Sequence, residues 1–225
     1  MESSKFHGIE AVIECPRCKG RYTRPLCQVV NSAEMPEATD AILRGTFFDF
    51  HCPHCNKEED TFFPMIYLDP VNKYLFYLEG EDENELFATM LEDQLKMLGD
   101  IGPMRDYRIR VTHLPADLAE KIRLSKLGLD DRVIELCKLP IVHSFHEQFP
   151  DKELYRVALV DRIQYQEFLI CPRNSDSLYH ADFSRELYDQ LVERFSAFFP
   201  PDRGQKICID HSWALKLFQP SGVQQ

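Results

Sequence analysis

Apolar and polar residues alternate from His7 to Glu14, as in a half-buried strand that ends at the first of two cysteine pairs. A second strand is predicted from Tyr22 to Val30, and a short helix from Glu34 to Arg44, closed by Gly45. Phe47 to His51 reads as a strand running into the second cysteine pair. Strands over Thr61 to Leu68 and Lys73 to Leu78 follow, separated by an Asp69-Pro70 turn.

The acidic stretch Glu79 to Glu85 changes the pattern and is the expected boundary between residues 1–78 and 79–225. It places negative charge at the start of a helix whose face carries Leu86, Phe87, Met90, Leu91, Leu95 and Leu98, with Gly99 at its end. A strand over Tyr107 to Thr112 leads to two short helices hinged at Gly128, with Asp130 as N-cap. Strands follow at Leu154 to Val160 and Glu167 to Ile170, then a helix from Phe183 to Phe199 stopped by Pro200-Pro201. A short strand, Ile207 to Ile209, and an amphipathic turn, Trp213 to Phe218, complete an α+β pattern with a β-rich N-terminal part.

Composition supports a folded core: 44% of the 225 residues are apolar, and sixteen are Phe. The net charge of -11 disfavours phosphate backbones and anionic membrane faces. The N-terminus has no apolar stretch resembling a secretory signal, and no apolar run approaches a membrane span, so a reducing cytoplasm is expected. In that compartment short-spaced cysteine pairs point to a metal rather than to disulfides.

The pairs are Cys15-Pro16-Arg17-Cys18 and Cys52-Pro53-His54-Cys55. Two Cys-x-x-Cys units, each after an apolar strand, supply the four soft ligands of a zinc-ribbon-like structural site holding one zinc. Four thiolates close the coordination sphere, so a clamp is expected rather than a catalytic ion. Iron also suits four thiolates. The residue after each knuckle favours a left-handed conformation. Asn56 suits it and Lys19 does not, so Gly20 is expected to take that role at the first knuckle.

These motifs resemble those of the CpXC domain family, named for paired Cys-Pro-x-Cys units. The resemblance extends through Gly45 to Phe50, Phe63-Pro64 and Ile66-Tyr67, then Leu118 to Ile122 and Leu129 to Glu135, over roughly residues 9 to 138. It implies zinc ligands at Cys15, Cys18, Cys52 and Cys55, a bacterial or archaeal source, and no particular activity.

The other candidates carry less. Cys27, Cys137, Cys171 and Cys208 read as packed thiols, and Cys171-Pro172-Arg173 echoes a knuckle but has Asn174 where the second Cys belongs. His51 and His54 flank the second pair and are read as exposed residues or hydrogen-bonding neighbours of the thiolates. His143, His146 and Glu147 suit one helical face as a second metal site, but Pro140 and Pro150 argue against a helix there. Asp161, Asp182, Asp210 and His211 are acid-base candidates with solvated loops as the default, and Tyr74, Phe76 and Tyr77 are core or a base-stacking surface.

No catalytic motif is recognised, so catalytic and cofactor-binding residues are expected to be none. The favoured function is a binding or scaffold module with a protein partner. The alternatives are an enzyme with its site in the C-terminal α+β region, and a nucleic-acid-binding ribbon using Lys19, Arg21 and Arg24. A thiol sensor that ejects zinc on oxidation ranks last.

Overall fold

The computed structural model describes residues 8–60, 62–79, 103–162 and 164–218. The chain is α+β, as its pattern predicts. It divides into two compact units: Met1–Ala119 with Asp202–Ile207, and Glu120–Pro201 with Cys208–Gln225. The acidic stretch after Glu79 and the predicted helix through Leu98 lie outside the described residues.

The first unit contains two small hairpins and a five-stranded sheet. One hairpin joins β1 (Gly8–Glu14) to β2 (Arg21–Cys27), and the other joins β4 (Asp49–His51) to β5 (Glu58–Asp60). The expected strand from Tyr22 to Val30 is broken at Gln28 into two. β2 belongs to the first hairpin, whereas β3 (Val29–Asn31) pairs in parallel with β6 (Met65–Asp69) of the sheet. Gln28 is fully buried at the break and its carbonyl accepts from the Ile66 N–H at 2.7 Å, so the chain changes sheets without losing that bond.

The sheet order is β12-β8-β7-β6-β3, with β7 at Tyr74–Leu78, β8 at Arg108–Thr112 and β12 at Lys206–Ile207. Every residue of β6 and β7 is buried, which explains their unbroken apolar runs: a strand covered on both faces has no polar side. Tyr74, Phe76 and Tyr77 are therefore core residues and offer no surface for bases. Asp69 shapes the β6–β7 turn by accepting from the N–H groups of Val71 and Asn72. β12 runs parallel to β8, and just before it Asp202 pairs with the fully buried Arg110 at 2.6 Å. Helix α1 (Pro36–Arg44) starts two residues later than predicted, at a proline suited to a first turn, and ends at Gly45 with φ 78°.

Helix α2 (Pro115–Lys126) carries the chain into the second unit. After Gly128, with φ 67°, Asp130 caps α3 (Asp131–Gln148) by accepting from the Arg132 N–H at 3.0 Å. The hinge and cap follow the prediction, but α3 is a long helix that continues through Pro140. Proline there removes one backbone hydrogen bond and costs about 3 kcal/mol. Burial of the whole Asp131–Lys138 face offsets it, a tertiary effect that local pattern does not reveal.

α3 packs on an antiparallel sheet ordered β11-β10-β9, with β9 at Leu154–Asp161, β10 at Gln166–Pro172 and β11 at Tyr179–Asp182. Val157, Leu159, Phe168 and Ile170 meet Leu124, Val133, Ile134, Cys137 and Phe145 in its core. Helix α4 (Arg185–Phe195) starts at a Ser184 cap and is shorter than the expected Phe183–Phe199, because its last turn tightens into a 3-10 turn at Ser196–Phe198. Helix α5 (His211–Lys216) is capped by Asp210, which accepts from the Trp213 N–H at 2.7 Å.

Candidate metal centre

Each hairpin turns through six residues, Cys15 to Gly20 and Cys52 to Lys57, and the two turns share one hydrogen-bond pattern. The first cysteine's N–H donates to the carbonyl five residues on, Cys15 to Gly20 and Cys52 to Lys57, both at 3.0 Å. Its own carbonyl accepts from the residue four on, Lys19 at 2.9 Å and Asn56 at 2.7 Å. Those two residues take the left-handed conformation, Lys19 at φ 59° and Asn56 at φ 53°. Asn56 was expected there. Lys19 was not, and the assignment of that role to Gly20 is corrected.

Gly20 has a different reason to be glycine. A Cβ placed on it would lie 2.5 Å from the imidazole of His54, so the ring of the second knuckle rests on the backbone of the first. His54 Nε2 reaches the Arg21 carbonyl at 3.0 Å, and because that partner only accepts, Nε2 carries the proton. Tyr22 meets the His54 ring edge-on and packs its own ring 5.9 Å from Phe50, which Arg24 also covers. His54 thus joins the hairpins rather than touching a thiolate. The spacing of the cysteines carries no signal for this contact.

The turns bring together all four predicted ligands. The sulfurs of Cys15, Cys18, Cys52 and Cys55 lie within 4.8 Å of one another. Cys15 and Cys55 are 3.9 Å apart and Cys18 and Cys52 3.7 Å, so the contacts cross from one knuckle to the other. A disulfide needs a separation near 2.05 Å. A tetrahedral ion with metal–sulfur bonds of about 2.3 Å places its sulfurs about 3.8 Å apart. The donor set therefore fits an ion held by four thiolates.

The polypeptide also supplies electrostatic support. The Cys18 backbone N–H lowers the Cys15 thiol to about 7. At Cys18 the Gly20 N–H pulls in the same direction, yet burial and the neighbouring sulfurs push that thiol up to about 12. At Cys55 the Lys57 N–H is likewise outweighed, and the thiol is raised. Burial and sulfur crowding hold the Cys18 and Cys55 thiols up, and a cation between the sulfurs would favour their ionisation.

A model of the CpXC protein family matches residues 13–138. That is more than half of the chain, and it spans both knuckles and the start of α3. The chain belongs to the CpXC family. No curated protein and no solved structure shows significant similarity to it. The match covers the region where the resemblance was drawn, including the two motifs from which the CpXC name derives.

The remaining candidates are dispersed. Cys27 donates to the Val29 carbonyl, and burial pushes it up to about 11. Burial pushes Cys137 up to about 12. The Cys171 echo is not a knuckle, since Pro172 lies within β10 and the left-handed residue, Asn174, falls three positions on rather than four. His143 and Glu147 do share a helical face, contrary to the expectation that no helix forms, but as an exposed ion pair at 3.3 Å, while His146 meets Phe145. Asp210 is a helix cap and Asp161 accepts from the Gln166 amide. Among the described residues the four cysteines alone form a cluster suited to a metal.

One polar site escaped the sequence reading. In the second unit Glu120 accepts from Lys138 at 3.2 Å, Arg156 at 3.3 Å and the Leu159 N–H at 2.7 Å. Lys121 meets Glu135 at 3.0 Å and Asp131 at 3.5 Å, and Glu135 also accepts from Lys138 at 2.8 Å. Burial opposes the charge on Glu120, but Lys138, Arg156 and Lys121 outweigh it and hold its pKa below the ordinary value. Lys121 is held above its ordinary value in the same way, by Glu135 and Asp131 against the cost of burial. In sequence these charges look like the solvated face of a helix.

Proposed function

We propose that the chain is a cytoplasmic binding module whose first unit is clamped by one structural zinc ion on Cys15, Cys18, Cys52 and Cys55. The observation that carries this reading is the cross-knuckle sulfur spacing, which suits a closed four-thiolate sphere. Zinc bound there supplies crosslinking and charge neutralisation. The chain's own residues do the rest: the backbone N–H groups at Cys18, Gly20 and Lys57 face thiolates, and His54 holds one hairpin on the other.

With its ion enclosed, the module acts by presenting surfaces, and the net charge of -11 favours a protein partner over a nucleic acid. Part of the positive cluster on the first knuckle is already engaged, since Arg21 pairs with Glu14 at 3.1 Å and Arg24 lies over Phe50. No helix among the described residues is long and apolar enough to cross a membrane. The test is elemental analysis of freshly purified protein, with affinity purification of its partner from the source organism and reconstitution from purified components. About one zinc per chain and a reconstituted stoichiometric complex support the proposal. Iron in the site, or turnover of a metabolite without any partner, contradicts it.

A further inference from the structure

The three-stranded sheet of the second unit has two edges, and they are treated differently. At the β9 edge the Leu159 N–H is taken by Glu120. At the β11 edge no described residue pairs with Tyr179–Asp182 beyond β10. An exposed strand edge is a template for another extended chain.

Beside this open edge lies a cavity of about 350 Å³. Its helical wall includes Ile141, Ser144 and Phe145 of α3 with Phe149 just past the helix end, and its strand wall is Ile170 with Tyr179, His180 and Ala181. Successive side chains alternate across a sheet, so a cavity touching three consecutive residues of β11 reaches the edge of the strand itself. Its lining joins apolar and aromatic side chains to Ser144, Gln148 and His180, with the Phe145, Phe149 and Tyr179 rings in mutual contact.

A cation stands at one end of this wall. The Lys152 ammonium lies 5.0 Å from the Phe149 ring centre and 4.9 Å from that of Tyr179, and it donates to the Tyr179 hydroxyl. Neighbouring Glu147 and Glu153 are paired with His143 and Arg173, and no carboxylate among the described residues pairs with Lys152. An ammonium has three protons to donate, so two remain for an anion.

The geometry points to a groove for the C-terminus of an extended peptide. Its backbone adds to the β11 edge, an apolar side chain enters the Phe145–Phe149–Ile170 cavity, and its terminal carboxylate meets Lys152. Strand addition supplies affinity through main-chain bonds, while pocket and cation select the sequence. This deepens the protein-partner reading proposed above and rests on it, while leaving the metal clamp independent.

The test uses metal-loaded full-length protein and acetylated five-residue peptides that alternate threonine with valine and end in leucine, phenylalanine or valine. Each is prepared as free acid and as C-terminal amide and titrated by amide chemical-shift mapping, with octanoate as a control. The expected result is binding of at least one free acid, with shifts at Tyr179–Asp182 and Ser144–Phe149, and amides weaker by about tenfold. Lys152→Gln brings the free acid down to the level of the amide. Ser144→Trp, at an exposed position on the rim, blocks both forms even if Lys152→Gln perturbs folding. Equal binding of acids and amides, shifts confined to other surfaces, no binding at millimolar peptide, or saturation by octanoate alone overturns the proposal. Metal content measured on the same samples separates the outcomes, because loss of peptide binding with the ion in place sinks the groove and spares the clamp.

Discussion

The two units each gather a polar cluster, of charged side chains in one and of thiols in the other. In the second unit Glu120, Asp131 and Glu135 face Lys121, Lys138 and Arg156, so three acids meet three bases and the network balances from within. In the first unit four thiols converge, and once ionised they would be balanced by the cation proposed for the site. Internal balance leaves a cluster independent of any bound ion, whereas an imported ion would tie folding to metal supply.

The largest expected effect comes from breaking the imported half. Cys52→Ser removes a buried sulfur, and the protein should then retain no stoichiometric metal by elemental analysis. The four-thiolate contribution, on the order of 10 kcal/mol, should vanish. Amide signals of β1, β2, β4 and β5 should collapse. Trp213, the single tryptophan and part of the second unit, should keep its native fluorescence. Loss of both signals together would show that the clamp stabilises the whole chain.

Next in size is Glu120→Ala. It leaves Lys138 and Arg156 facing a buried gap and should cost about 3–5 kcal/mol in urea unfolding followed through Trp213. Metal content should not change. A loss below 1 kcal/mol would mean that solvent replaces the network.

Acid should separate the clusters. Glu120 has a folded pKa below its ordinary value, so its contribution is complete above the unfolded pKa of about 4.3 and fades as pH falls through the lower folded value. Thiolates compete with protons for the metal at higher pH, so stepwise acidification should release the ion first and quench the Trp213 signature afterwards. The reverse order would contradict the comparison.

How much of this was legible beforehand depends on the range of the interaction. The knuckles are local: two Cys-x-x-Cys units with strands before them are readable because ligand spacing and turn chemistry lie within six residues. β6 and β7 declared themselves through continuous apolar runs. The break at Gln28 did not, since both halves of 22–30 have strand character and only pairing with different partners divides them. β5 and β11 were missed because neither shows a long apolar alternation, and each is held by the strand it joins. The helix through Pro140 and the ionic network were missed for one reason: tertiary burial overrides both proline and charge, and neither carries a local mark of it.

Two smaller effects sharpen the account. His54→Ala removes the contact across the hairpins and should lower metal affinity about tenfold in chelator competition, with His54→Gln restoring part of it through an amide donor. An unchanged affinity would assign His54 to the surface. Lys19→Gly relieves a left-handed non-glycine residue and should stabilise the first hairpin by about 1 kcal/mol, read as slower metal release. Faster release would show that the Lys19 side chain contributes more than its backbone strain costs.

The most direct test of the central claim is the metal content of protein purified without added metal, by elemental analysis against protein concentration. About one zinc per chain is expected, removed by strong chelators together with the fold of the two hairpins. Iron at that stoichiometry, or metal-free protein whose hairpins remain folded, would contradict it.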